Sequence, residues 1–289
     1  MKQYLLAAAA LLAAATVTPA SAYTSYLKPS AFWADEAEVQ VEGAFATQFF
    51  TPEIALGDRI TLLNPDGQSM LADQIAVTPN ATELATALAS SGTYRISTGE
   101  VLGQVATLVA QDGQWRVLGA GEATPEGADT TTLQTVTIAD TYVTRGAATR
   151  TVVDHTMGTL AIRPVTHPNQ ILSSQGLEIE LTFNGAPMAN SAIVLYRAGE
   201  QETSLDRFVV TDENGHATFT FDGPGQYIIA ARHRADMPPG SAANVGSYTT
   251  TLTFEALAQL HPETEISEPS PAPQRRRRPS RTGIGRLGG

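Results

Sequence analysis

Alternation with a period of two constrains this chain more than any other feature. Leu177-Glu178-Ile179-Glu180-Leu181-Thr182-Phe183 places apolar and polar side chains on opposite sides of an extended backbone, the pattern of a half-buried strand. Asn184-Gly185 reverses the chain, Ala192-Ile193-Val194-Leu195-Tyr196 supplies a second run and Phe208-Val209-Val210 a third. Asp212-Glu213-Asn214-Gly215 reads as the next turn, because Asp and Asn bond their own backbone and Gly accepts a positive φ. Beyond it Ala217, Phe219 and Phe221 point one way and His216, Thr218 and Thr220 the other. After Gly223-Pro224-Gly225 a strand over 226–231 carries Tyr227 inward, and its Gly-x-Tyr start predicts a tyrosine corner. Short strands at regular turns predict a β-sandwich.

The same reading extends toward the N-terminus. Residues 38–43 alternate, and 60–63 lead into Asn64-Pro65-Asp66-Gly67, a hairpin turn by its residue types. Residues 82–90 fit either one helical turn or a strand. Gly92-Thr93-Tyr94-Arg95-Ile96 then repeats the Gly-x-Tyr-x-Ile of Gly225-Gln226-Tyr227-Ile228-Ile229, which predicts two sandwiches closed in the same way. Residues 101–118 read as a hairpin reversing at Gln111-Asp112-Gly113, 136–143 as a strand and 248–254 as the last one.

These elements give an all-β chain of two consecutive immunoglobulin-like or prealbumin-like β-sandwich domains, at 23–118 and 133–257, joined by a Gly-, Ala-, Thr- and Asp-rich linker at 119–132. Residues 1–22 read as a signal peptide. Lys2 gives the positive start, the apolar stretch is too short to span a bilayer, and Ala20-Ser21-Ala22 predicts cleavage after Ala22. The chain has no cysteine, hence neither disulfides nor a lipid-attachment thiol, and a periplasmic or secreted location is expected. No later segment has the length and hydropathy of a membrane span. Residues 258–289 replace apolar residues with Pro, Ser, Glu and Arg, and a disordered Arg-rich tail is expected.

The formal net charge of −11 includes Arg275, Arg276, Arg277, Arg278, Arg281 and Arg286, so the folded body is more acidic than the whole. An acidic body argues against nucleic acid and is compatible with cations. Outside the cytoplasm the Arg run fits lipid phosphates, an acidic partner or a protease, or simply solvent.

Chemistry is thinly represented. There is no Gly-x-Ser-x-Gly elbow, Walker loop or dinucleotide fingerprint, so an enzyme is not expected. The five histidines, His155, His167, His216, His233 and His261, include no pair at metal-ligand spacing. His155 follows Asp154, and His233 lies at a strand end between Arg232 and Arg234, two cations that would oppose a metal. His167 before Pro168, His216 on an outward face and His261 at the edge of the tail read as solvated.

Several stretches resemble a known family. Thr141-Tyr142-Val143-Thr144-Arg145-Gly146, Leu160-Ala161-Ile162-Arg163-Pro164, residues 184–194, Thr211-Asp212-Glu213-Asn214-Gly215-His216-Ala217 and Gly225-Gln226-Tyr227 to Arg232-His233 are similar to the periplasmic domain of unknown function 4198. The likeness covers most of 23–257. It implies a nickel- or cobalt-uptake-like periplasmic component, with His155 and His233 as metal ligands and an envelope transporter or outer-membrane receptor as partner. Relatives commonly start the mature chain with His, whose amine and imidazole chelate together. Tyr23 stands there instead, and a phenol is a poor ligand for nickel or cobalt. The expectation is therefore an exported, non-enzymatic binding or accessory protein, with a ligand-free protein–protein interaction module of the cell envelope as the alternative.

Overall fold

The computed structural model describes residues 23–262. The expected signal peptide and all of the expected tail beyond Pro262 lie outside the described residues. Among those described, regular structure is entirely strand. In chain order the first part contains β1 (Thr24–Pro29), β2 (Glu38–Ala46), β3 (Ile54–Ala55), β4 (Thr61–Leu63), β5 (Ser69–Met70), β6 (Gln74–Val77), β7 (Thr82–Ala87), β8 (Gly92–Ser97), β9 (Val101–Gln111) and β10 (Gln114–Val117). The second part contains β11 (Thr130–Arg145), β12 (Leu160–Pro164), β13 (Ile171–Leu172), β14 (Leu177–Phe183), β15 (Ala186–Pro187), β16 (Ala192–Arg197), β17 (Phe208–Val210), β18 (His216–Phe219), β19 (Gly225–Asp236) and β20 (Val245–Leu257). The small-residue stretch from Thr82 is a strand, not a helical turn.

Two layers of sheet enclose each core. In the first half, β1-β2-β7-β6 presents Leu27, Val39, Val41 and Leu84 to Leu62, Tyr94 and Ile96 of β4 and β8. In the second, β12-β14-β15 with β18 presents Ile162, Ile179, Leu181 and Phe219 to Ile193, Tyr227, Ile229 and Phe254 of β16, β19 and β20. The all-β sandwich expected from period-two alternation is what the chain adopts.

Both predicted turn devices are present. Asp112 and Gly113 have φ of 52° and 75° and close β9 on β10. The two Gly-x-Tyr strands match in detail: the Tyr94 hydroxyl donates to the Ser90 carbonyl at 2.9 Å and the Tyr227 hydroxyl to that of Gly223 at 2.8 Å, each four residues back. Gly92 and Gly225, ahead of the two tyrosines, carry φ of 137° and 151°, a region nearly closed to residues with a Cβ.

The join between the halves departs from expectation. β11 is longer than the strand read at 136–143 and begins at Thr130, inside the stretch expected as linker. On one edge it pairs with β9 and then β8; on the other it pairs in parallel with β20. The result is one 11-stranded sheet running through both halves. A third core joins them again, with Tyr26, Ala44, Ala46 and Phe49 packed on Val194, Tyr196, Ile228 and Ala230. β19 therefore buries both faces, and Tyr227–Ala231 is correspondingly an unbroken apolar and small run.

Candidate functional site

His233 sits on β19 opposite Tyr248 of β20. It is not a free strand-end imidazole: its ring meets the Phe183 ring edge-on, with centroids 4.6 Å apart, and Phe183 meets Tyr248 at 5.2 Å. Burial in this aromatic cluster lowers the His233 pKa below its ordinary value, because desolvation disfavours the imidazolium. The expected repulsion from its neighbours is also absent for Arg232, which alternation sends to the opposite face. There its guanidinium donates to Glu202 Oε1 at 2.6 Å and to the Thr24 hydroxyl at 2.9 Å.

His155 is exposed, in the loop between β11 and β12. Its backbone carbonyl, rather than its ring, is engaged, accepting from Arg95 Nη1. The neighbouring Asp154 carboxylate is taken by Arg150 at 2.7 Å. His233 is in register with Tyr248 and Val136, whereas His155 lies in a loop whose carbonyl is held by Arg95, itself in register with Tyr142.

The other histidines also find places. His167, expected in solvent, is 8% exposed. Its loop is folded into the seam between the halves, so its Nε2 lies 3.1 Å from both the Thr93 hydroxyl and the Thr149 carbonyl, and its Nδ1 accepts from the Asn169 amide. His216 meets Glu178 at 3.0 Å, and His261 stacks on Trp33 with centroids 5.3 Å apart. Among the described residues no three of His, Asp and Glu are grouped so as to hold a metal ion.

At the seam, sequence reasoning missed a buried ion pair. Arg95 Nη2 lies 2.6 Å from Asp140 Oδ2 with Nε at 3.2 Å from Oδ1, and both side chains are almost fully buried. Tyr142 lies beneath the guanidinium, its ring centroid 5.6 Å away, and burial pushes its phenol pKa up. Beside this seam opens a shallow cleft of about 340 Å³, bordered by Glu100, Leu102, Asn184, Asp236, Met237 and Tyr248. Burial, and then the Glu100 carboxylate, raise the Tyr248 pKa, so its hydroxyl stays protonated. Glu100 Oε1 already accepts the Thr159 amide at 2.6 Å. These groups offer hydrogen bonds and negative charge, and no nucleophile paired with a base borders the cleft.

A second surface stands out by hydropathy. On the hairpin β9–β10, Leu102, Val105, Trp115 and Val117 are 59%, 43%, 39% and 37% exposed. Trp115 and Val117 share one face with Ala110 and Leu108, their register partners on β9. Arg116 points to the other face, where it bonds Gln111 and Glu122. β10 pairs only with β9 among the described residues, so its outer edge is free. Leu108 and Val109 of the same hairpin are buried, so the exposed apolar residues are those beyond the covered part of β9 and on the outer strand β10. Leu71, Ile75 and Val77, around β6, form another exposed set.

Comparison with solved structures gives distant likenesses. The D0-D1 domain of intimin is 10% identical, with a TM-score of 0.21, covering 79% of this chain and 96% of that one. A DUF4785 family protein from Legionella pneumophila is 12% identical at a TM-score of 0.24, covering 73% and 52%. The D00-D0 domain of intimin is 11% identical at 0.20, covering 80% and 99%. No curated protein matches the chain. A family model does: it matches residues 20–235, and the chain belongs to the domain of unknown function family DUF4198.

Proposed function

We propose that this chain is an exported, non-catalytic interaction module of the cell envelope that contacts a partner protein through the β9–β10 hairpin. The observation that carries the reading is the apolar face of Trp115 and Val117, 39% and 37% exposed, on an edge strand. Exposed apolar groups gathered on one projecting element are typical of contact surfaces, and tryptophan is enriched among the residues that dominate binding energy. The charged Arg116–Glu122 pair on the reverse face discourages non-specific edge pairing. An envelope transporter or outer-membrane receptor is the class of partner that fits. The nickel or cobalt role that the family resemblance implies has less support, since Tyr23 replaces the family's usual His.

A photo-crosslinking residue placed at Trp115 or Val117 in the exporting cell tests this. One discrete protein adduct is expected from either position and none from the same residue at Gly240, an exposed loop site at the far end of β19. Val117→Glu is expected to abolish the adduct formed from position 115. An exported, folded chain that yields no adduct from either position overturns the reading. So does nickel or cobalt binding that is lost in His155→Ala or His233→Ala, with the hairpin variants silent.

A further inference from the structure

The described residues 23–262 hold 26 Asp and Glu against 11 Lys and Arg, a net of −15, whereas 263–289 hold six Arg against three Glu, a net of +3. The imbalance has an address. Most Arg-rich parts of the body are neutralised locally: Asp140, Glu122, Asp154, Glu180, Glu200 and Glu202 each meet an arginine. The outer face of β1-β2-β7-β6 is different. Glu42 and Glu83 face each other across β2 and β7, an arrangement that is destabilising unless a cation lies nearby. Exposed Asp35, Glu36 and Glu38 lead into that face. None of these five carboxylates takes part in an ion pair among the described residues. Lys28, in register with Glu42, points its ammonium over the Phe50 ring, 5.7 Å from the centroid.

This face is also grooved. Lys28, Gln40, Glu42, Gln74 and Glu83 border an open trough of about 380 Å³. The last described residues lie beside it. His261 stacks on Trp33, and Trp33 is three residues beyond Ser30, whose amide bonds the Gln40 carbonyl at 2.8 Å at the end of the trough. That is a separation of roughly 10 Å at ~3.3 Å per residue. Twelve residues separate Pro262 from Arg275, enough to reach about 40 Å when extended.

We propose that the Arg275–Arg278 segment of this same chain docks in the trough on the outer face of β1-β2-β7-β6, with guanidinium groups between Glu42 and Glu83. Arginine suits the position because its planar fork matches carboxylate oxygens two at a time. The tether supplies an effective concentration of order millimolar, so weak ion pairs suffice at low salt. Docking relieves the Glu42–Glu83 opposition and covers an acidic face of the body.

The absence of cysteine makes the test clean. A nitroxide on Ser280→Cys in the chain from Tyr23 to Gly289 is expected, at low salt, to broaden the amide resonances of Gln40, Glu42, Glu83 and Ala85 selectively. The broadening is expected to vanish at 1 M salt, where charges are screened beyond about 3 Å, and in Glu42→Gln/Glu83→Gln, whose unchanged spectrum elsewhere shows that the fold persists. Nitroxide-labelled chain mixed with isotope-labelled, spin-label-free chain is expected to show none. Broadening that is absent, that falls on another face, or that appears only in the mixed sample overturns the proposal. So does a tail that leaves the trough resonances sharp and moves only when vesicles of anionic lipid are added.

Discussion

His233 and Arg95 show how far a side chain's surroundings can depart from what its neighbours in sequence suggest. For His233 the local string Arg-His-Arg read as a charged strand end, but the ring is packed against Phe183, and Phe183 is distant in sequence. The consequence is a pH dependence with a definite sign. Because burial lowers its pKa in the folded state, the unfolded chain binds the proton more readily, and stability rises with pH across the interval. The contribution is complete above the unfolded value of about 6.5 and is lost as pH falls from there through the folded pKa. Imidazole titration by NMR is expected to give His233 a midpoint below the ordinary histidine value of about 6.5, and His233→Gln to flatten the stability profile in that range. Arg95 makes the same point through charge. Its bidentate pair with Asp140 is sealed from water, so Asp140→Asn, which strands a buried cation, is expected to cost about 3–5 kcal/mol in denaturant unfolding. Replacing both with apolar residues, Arg95→Met with Asp140→Leu, is expected to cost less than that single change. Neither partner was legible in sequence, because Arg95 sits at an alternating polar position that should have faced solvent and is instead roofed by the loop carrying His155.

At the level of elements the sequence was far more informative, because turn chemistry and alternation are local. Asp112-Gly113 and the two Gly-x-Tyr starts were readable since each depends on residues within four positions of one another. Tyr94→Phe removes two hydroxyl bonds, both with Ser90, and Tyr227→Phe one; at about 1 kcal/mol per bond the first is expected to cost more than the second, and the two to add because the corners share no partner. The glycines should separate the two copies. A Cβ at Gly92 would come within 2.5 Å of Pro65, whereas at Gly225 the nearest atom is an arginine side chain 3.5 Å away. Both positions impose the same backbone strain, so Gly92→Ala is expected to lower the melting temperature more than Gly225→Ala. Non-local pairing was the part that could not be read. Nothing near Thr130 announces that β11 will pair in parallel with a strand more than a hundred residues later, and nothing in the β9–β10 hairpin separates its buried Leu108 and Val109 from its exposed Trp115 and Val117.

For the whole molecule, composition suggested two sandwiches on a flexible linker, and the contacts describe something more tightly joined. β11 gives one edge to β8 and β9 and the other to β20, so neither half completes its sheet alone. The third core adds side-chain packing to that shared backbone: Phe49, 1% exposed, lies 4.6 Å from the Tyr196 ring across the halves. Arg232 extends the same contact by reaching from β19 to Thr24 on the first strand. Two bodies coupled in this way lose both a strand partner and an apolar surface if one unfolds first, and a partly folded state would expose the long unpaired edge of β11. Calorimetry is therefore expected to show a single transition, with the calorimetric and van't Hoff enthalpies equal. Phe49→Ala, which removes a large buried ring, is expected to lower that one transition by about 3–5 kcal/mol without splitting it. Two resolved transitions, with only one of them moved by Phe49→Ala, would mean that the halves stand independently and that the shared sheet contributes continuity without cooperativity.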